Sequence, residues 1–394
     1  MTMIVASSLA EIKFFEDLLD TPQNSLVQKA IAEGRIPIGY TCNITPEPLL
    51  MVENAFPVRL RAPGVKNATQ ATYYMNLTIC SYARSVLETL LNGKYDFLRS
   101  VIGGGACTHI NRCGQHIGII DAFKQRIDNG EFIFHVLDSP RKVCEGTLEL
   151  FVKDMKDAAG KLSKSLGLEY SDASLRKAIQ QLNQFKSLLK RLSDFRKGAE
   201  PKITGSEFHK VMVACQVAPK DMLFEPLEAL IKALEKREPV TGYRARVMIT
   251  GTVFDDPAFT ELIEAQGALV VADRYCFGSL SGLDQIPEEG DPWENLAKHY
   301  AETCECPRMM ENFEKRYQQR LDYRKEFDVE GIIIQTLKFC DLWAYEVPMN
   351  LDRLHAEKIP VVKIEHEYKL SGEGQIKTRV QAFVESIENK RLVK

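Results

Sequence analysis

EGIIIQTLKFCD, residues 330–341, decides how the rest of this chain reads. From Gly331 to Leu337 it runs through β-branched and apolar residues, then turns into Cys340. A short apolar run closed by a turn is the pattern of a buried strand in a parallel sheet. In open α/β sheets, ligands sit beyond the carboxyl ends of the strands. Cys340 therefore stands where such a fold does its chemistry. The arrangement recurs: Cys42 follows IPIGYT, Cys107 follows VIGGGA, and Cys276 follows ALVVADRY. Four of ten cysteines end candidate strands, which thiols scattered through a core would not be expected to do.

A chain of 394 residues has room for two domains, each with its own core. Apolar content of 45% and charged content of 27% are ordinary for a globular protein. A net charge of −3 leaves no electrostatic footprint for nucleic acid. No apolar run approaches the roughly 18 residues of a membrane helix. The opening MTMIVASSLAEIKFFEDLL lacks the basic and long apolar regions of a signal peptide. The expectation is a cytoplasmic protein with no nucleic-acid or membrane partner. Its cysteines are then reduced rather than disulfide-paired. They serve as packing thiols, as redox or catalytic thiols, or as ligands of a metal or iron–sulfur cluster.

Taken in order, residues 1–35 keep helical spacing, and a first α/β half follows. Its strands are predicted at 36–42, 56–60, 100–106 and 132–137, with helices at 80–91 and around 118–128. Residues 145–238 contain no convincing strand, only amphipathic helical stretches at 148–166, 174–196 and 206–237, the last broken by Pro219 and Pro226. Ser171 and Asp172 are caps for the second. The basic run 186–197 reads as a solvated helix face. A second half mirrors the first, with strands at 246–250, 268–272, 331–336 and 359–364. Its helices are placed at 257–266, 346–357 and 376–388. The expected architecture is α/β: two Rossmann- or flavodoxin-like domains with parallel sheets, 1–144 and 241–394, joined by a helical connector or dimer element, 145–240. Cys107 and Cys340 then hold equivalent positions and face a shared cleft, where ligands usually bind.

Cys80 opens a helix, where the dipole and free N–H groups favour a thiolate. Cys80, Cys107 and Cys340 thus converge from one helix start and two strand ends. Iron–sulfur clusters are normally held by four thiolates, so three would leave one iron open. No C-x-x-C pair is present, and spacing alone leaves open an iron–sulfur cluster, packing or redox thiols, and zinc. Gly103-Gly104-Gly105 reads either as a phosphate cradle or as a tight turn bringing Cys107 to a site. There is no P-loop motif. Cys113, Cys144 and Cys215 read as packing thiols.

Six segments carry a resemblance: GYTCNITPEPLL (39–50), CSYARSVLETLLNGKYDFL (80–98), ACTHINR (106–112), GTVFDDPAFTELIEAQGALVVADRYCFGS (251–279), EGIIIQTLKFCD (330–341) and IPVVKIEHEYKLSGEGQIKTRVQAFVE (359–385). Together they resemble the 2-hydroxyacyl-CoA dehydratase / benzoyl-CoA reductase family over nearly the full length. The resemblance implies two α/β domains with a 4Fe-4S cluster between them, on positions matching Cys80, Cys107 and Cys340. It implies a separate iron–sulfur ATPase that delivers a low-potential electron. In the dehydratases this makes a ketyl radical on a 2-hydroxyacyl-CoA, so that water leaves. In the aryl-CoA reductases the electrons enter an aromatic ring. A third branch carries a double-cubane (8Fe-9S) cluster on six cysteines and reduces small molecules; here Cys42, Cys276 and Cys306 would supply the further ligands, with Cys304 also spare. The functional unit would be a homodimer or a heterodimer of paralogous subunits. A non-catalytic subunit or cluster scaffold is the reading from another class. The family commonly has Asp after the second cysteine, whereas this chain has Thr108, which leaves the acid–base role unassigned. His109, Arg112 and Glu367 are the candidates for it, with His116 and Glu365 as further cleft residues. Gln375 and Arg379 match a terminal motif expected to brace helix packing.

Overall fold

The computed structural model describes residues 4–105, 107–281 and 283–392. Eight strands form two four-stranded, all-parallel sheets. The first contains β1 (Ile36–Tyr40), β2 (Ala55–Arg59), β3 (Ser100–Gly104) and β4 (Ile133–Leu137), in the order β2-β1-β3-β4. The second contains β5 (Ala245–Gly251), β6 (Ala268–Arg274), β7 (Gly331–Leu337) and β8 (Val361–His366), in the order β6-β5-β7-β8. The two orders are the same, which bears out the repeat expected from the sequence. All seven residues of β5, β6 and β7 are buried, as parallel strands covered on both faces require. Ala106, at the end of the third expected strand, lies outside the described residues.

Each sheet reverses its winding direction once, between β1 and β3 and between β5 and β7. Such switch points open a crevice at the strands' carboxyl ends. In the first sheet the crevice is kept tight by glycine. A Cβ on Gly104 would lie 2.8 Å from Ile44 and 3.1 Å from the Cβ of Cys42, and one on Gly105 would lie 2.6 Å from the Leu137 carbonyl oxygen. The glycine run is thus a close-packed turn leading to Cys107.

Residues 145–238 hold the helices Thr147–Leu166, Asp172–Asp194, Gly205–Val217 and Phe224–Lys236. Gly205–Val217 is buried along most of its length and packs against β2 of one half and β6 of the other. Glu264 caps it, accepting from the N–H groups of Gly205 at 2.7 Å and Ser206 at 3.1 Å. The segment is therefore wedged into both halves.

Four local expectations are corrected. The run 186–197 is not one solvated face: Lys186 and Arg196 are buried, and Arg196 pairs with Asp273 at 2.5 Å. The helix expected at 118–128 is present as Asp121–Asp128, but a helix at Thr108–Ile117 was not expected before it, and the one expected at 346–357 begins at Asp341. Cys144 is exposed rather than packed, whereas Cys113 and Cys215 are buried. Arg379 does brace its helix, donating to the Lys363 carbonyl at 2.8 Å, but Gln375 is exposed. No helix among the described residues is long and apolar enough to cross a membrane.

Candidate functional site

The carboxyl ends of both sheets open onto one cavity. Thr41 and Arg59 reach it from β1 and β2, Thr252 and Val253 from the end of β5, and Leu337 from β7. Six cysteines line it: Cys42, Cys80, Cys107, Cys276, Cys306 and Cys340. These are the six positions singled out in the sequence. The cavity measures about 90 Å³, and its lining is mainly apolar apart from the thiols, Arg59, His109 and Asp341.

Three of the thiols share a local design. Cys80, Cys107 and Cys340 are the N-caps of the helices Ser81–Leu91, Thr108–Ile117 and Asp341–Ala356. A helix N-terminus presents unpaired N–H groups and carries roughly half a positive charge. The Ile110 N–H donates to the Cys107 sulfur at 3.5 Å. Three helix dipoles aimed at one cavity favour negative charge there. Burial opposes that charge, and so do the thiols themselves. Burial and the neighbouring Cys107 and Cys340 push the Cys80 thiol upward. Burial and Cys107 raise Cys340 to about 12.

The other three form a second set. Burial, with Cys42, Cys304 and Cys340 nearby, raises Cys276 to about 12. Burial, with Cys304, Cys276 and Cys42 nearby, pushes Cys306 up strongly. The two sets are close enough to interact: Cys42 acts on Cys107, and Cys340 acts on Cys276. Six thiols held together in a dry space repel charge unless a cation binds them, and metal binding deprotonates a thiol outright. Among the described residues, no group of three Cys, His, Asp or Glu side chains has the geometry to hold a single metal ion. The donors ring a volume rather than a point. That donor set fits an iron–sulfur cluster, whose irons each take thiolate ligands.

The loop bearing Cys306 is fastened to both halves. Arg308 donates to the carbonyls of Pro140 and Ser139 at 2.7 Å and of Gly105 at 2.9 Å, two residues from Cys107. Arg316 donates to the carbonyls of Met309 at 2.7 Å and Cys306 at 3.3 Å. Glu346, on the helix that Cys340 caps, holds Arg316 at 2.5 Å and Arg320 at 2.8 Å. Cys304 lines a separate small cavity beside Lys186 and His299.

Of the acid–base candidates, only His109 lines the six-thiol cavity. Its Nδ1 accepts from the Cys80 N–H at 3.3 Å, and its Nε2 lies 3.1 Å from Asp341 Oδ2. That network assigns the proton to Nε2. Both ring nitrogens are occupied in joining the Cys80 turn to the Cys340 turn. Arg112 is exposed and bonds Gln115 at 3.2 Å. Glu367 sits outside the lining and pairs loosely with Lys338 at 3.6 Å. His116 is buried against Tyr74, and Glu365 is exposed beside Lys363. A wider cleft of about 490 Å³ has no cysteine in its lining, and its Arg61 and Asp255 pair with each other at 2.6 Å.

The sequence reading passed over two residues of the cavity. Asp341 stood next to a chosen cysteine, yet the helix was started too late to expose its place in the first turn. Arg59 had a usable signal: a cation between Val58 and Leu60 in a parallel strand is out of place unless it meets a charge.

A family model described as 2-hydroxyglutaryl-CoA dehydratase, D-component, matches residues 42–387, a span that includes all six cysteines of the cavity. The chain belongs to that family. Proteins similar to this chain over nearly the whole of both sequences include three dehydratase subunits. The (R)-phenyllactyl-CoA dehydratase beta subunit of Clostridium sporogenes is 27% identical over 373 residues, 95% of this chain and 97% of that one. The (R)-2-hydroxyglutaryl-CoA dehydratase beta subunit of Acidaminococcus fermentans is 24% identical over 383 residues, covering 96% and 99%. The lactoyl-CoA dehydratase subunit beta of Anaerotignum propionicum is 22% identical over 388 residues, covering 97% and 99%.

Proposed function

We propose that this chain is the electron-accepting, iron–sulfur subunit of an ATP-driven dehydratase or reductase acting on an acyl-CoA thioester, a 2-hydroxyacyl-CoA first among them. The observation that carries it is the convergence of Cys80, Cys107 and Cys340, each capping a helix, on one dry cavity of a dehydratase-family chain. Bound there, a 4Fe-4S cluster would accept a low-potential electron and pass it to the substrate. With the group bound, the three helix N-termini would support the charged thiolate form that burial alone opposes. Trp343, Leu342 and Val253 exclude water. His109 keeps its proton on Nε2, donated to Asp341, so it positions the two cysteine turns and is not a free base. The energy source would be an iron–sulfur ATPase on a separate chain, and the relatives named as beta subunits favour a paralogous partner subunit over a homodimer.

A second reading has its own support. Cys42, Cys276 and Cys306 line the same cavity and would serve as the further ligands of a double-cubane (8Fe-9S) cluster in a small-molecule reductase. Iron and acid-labile sulfide on anaerobically purified protein separate the two. About four irons per chain, abolished in Cys340→Ser and retained in Cys306→Ser, is the result expected of the first reading. About eight, reduced in Cys306→Ser, would establish the second. Zinc in place of iron, or full iron retention in Cys340→Ser, would overturn both and leave the scaffold reading. Activity is then assayed with 2-hydroxyacyl-CoA thioesters, ATP and an iron–sulfur ATPase. Cys215→Ala, at a thiol buried in the helix Gly205–Val217, is the control that keeps its iron.

A further inference from the structure

Arg59 ends β2, the edge strand of the first sheet, and is 1% exposed. A guanidinium stays charged in proteins, and taking it out of water is costly unless an opposite charge compensates. Several other buried arginines of this chain follow that rule, while Arg246 and Arg308 are held by backbone carbonyls. Arg61 has Asp255, Arg196 has Asp273, and Arg316 and Arg320 share Glu346. Arg59 does not. Among the described residues no carboxylate pairs with it. It donates to Gln216 Oε1 and, at 2.6 Å, to the Cys276 carbonyl oxygen, both neutral acceptors. It lies 3.9 Å from the Phe277 ring centroid. Its Nε is buried without a hydrogen-bond partner. The guanidinium borders the six-thiol cavity, and the groups acting on it that share that lining are Cys42, Cys276 and Tyr82, whose hydroxyl proton is donated to the Leu60 carbonyl at 2.9 Å.

We infer that Arg59 is the fixed counter-charge of the anionic group in the cavity, acting beside Cys42 and Cys276 in addition to the three helix N-termini. Thiolates and sulfides make an iron–sulfur cluster negatively charged overall, and its potential follows the charges around it. A permanent cation in a dry site favours the reduced, more negative state, because little solvent screens it. Arg59 therefore raises the potential and makes the cluster a better electron acceptor. It is a positioning and tuning residue, and its function rests on the proposal that the cavity holds a cluster.

The test is a potentiometric titration of anaerobically purified, loaded protein, followed by its visible and paramagnetic-resonance signals. It compares the native chain with Arg59→Lys, Arg59→Gln and Arg59→Met; Met keeps most of the buried stem's volume should Gln prevent folding. The neutral variants are expected to titrate at a more negative potential than the native chain and to lose iron faster to a chelator. Arg59→Lys is expected to stay close to the native values. Native potential and native iron retention in a folded neutral variant would overturn the inference. A shift in Arg59→Lys as large as in the neutral variants would also overturn it, because the geometry of the fork rather than its charge would then matter. Native protein devoid of iron would instead remove the reading on which the inference rests.

Discussion

Replacing Glu346 by Gln should destabilise the second half of the molecule and loosen the loop that carries Cys306. The carboxylate is 4% exposed and serves two guanidiniums that are 4% exposed themselves. Gln leaves one neutral oxygen between two buried cations. Removing one partner of a buried ion pair costs about 3–5 kcal/mol, and two stranded arginines put the expected loss near the upper end, about 5 kcal/mol. Unfolding entropy of roughly 2.1 cal/mol/K per residue gives about 0.8 kcal/mol/K for a chain of 394 residues melting as one unit. The melting temperature would then fall by about 6 °C. If the roughly 150 residues of the second half melt by themselves, the entropy is about 0.3 kcal/mol/K and the fall is about 16 °C. Calorimetry on native and variant protein with matched iron content measures the shift, and its size reports how much of the chain melts together. Replacing the whole group with apolar residues, Arg316→Met with Arg320→Met and Glu346→Leu, should recover most of the loss, since well-packed apolar substitutes for buried ion pairs are often neutral. A loss below about 1 kcal/mol in Glu346→Gln would refute the reasoning.

Two further outcomes follow from buried histidines. Burial lowers His209 to about 4, with Asp273 and Asp255 only partly offsetting it. The unfolded chain binds that proton near pH 6.5 while the folded chain refuses it. Stability is therefore fully present above about pH 6.5 and declines by about 3 kcal/mol as pH falls toward 4. Urea midpoints across that range should show the decline, and His209→Gln should flatten it. His109→Ala strands the Cys80 N–H, an expected loss of about 1–3 kcal/mol. Its urea midpoint should fall and its iron should pass to a chelator faster than from native protein, whereas unchanged release would show that His109 does not hold the cysteine turns.

Much of this was legible because strands and cysteines signal strongly and locally. All eight strands lie where apolar runs put them, and β7 with its trailing Cys340 gave the fold class by itself. The helices that matter most for the site were harder to see. THINRCGQHI, which forms the helix Thr108–Ile117, mixes weak helix formers with a glycine, so local propensity gave no helix there. The helix Asp341–Ala356 was expected only from 346; Pro348 sits inside it, and Trp343, Val347 and Leu354 bury one side of it from its first turn onward. Those two misses hid the fact that Cys107 and Cys340 are caps, as Cys80 is. Burial of Lys186 and Arg196 was invisible for a different reason: their partners, the Asp284 carbonyl and Asp273, lie about 80–100 residues further on. Pairings that distant leave no periodic trace in sequence.

Each set of thiols draws on both halves. Cys80 and Cys107 wait for Cys340, and Cys42 waits for Cys276 and Cys306. During synthesis at about 5–20 residues per second, Cys340 emerges roughly 10–50 s after Cys107. For that interval the nascent chain carries thiols whose proposed partners are not yet made, and any that stay exposed are open to oxidation and to stray metals. On the proposal that the cavity holds a cluster, loading would be a late event in the life of this polypeptide, gated by the joining of its two ends. The rate at which the halves come together would then limit how much newly made chain escapes damage before it can be filled.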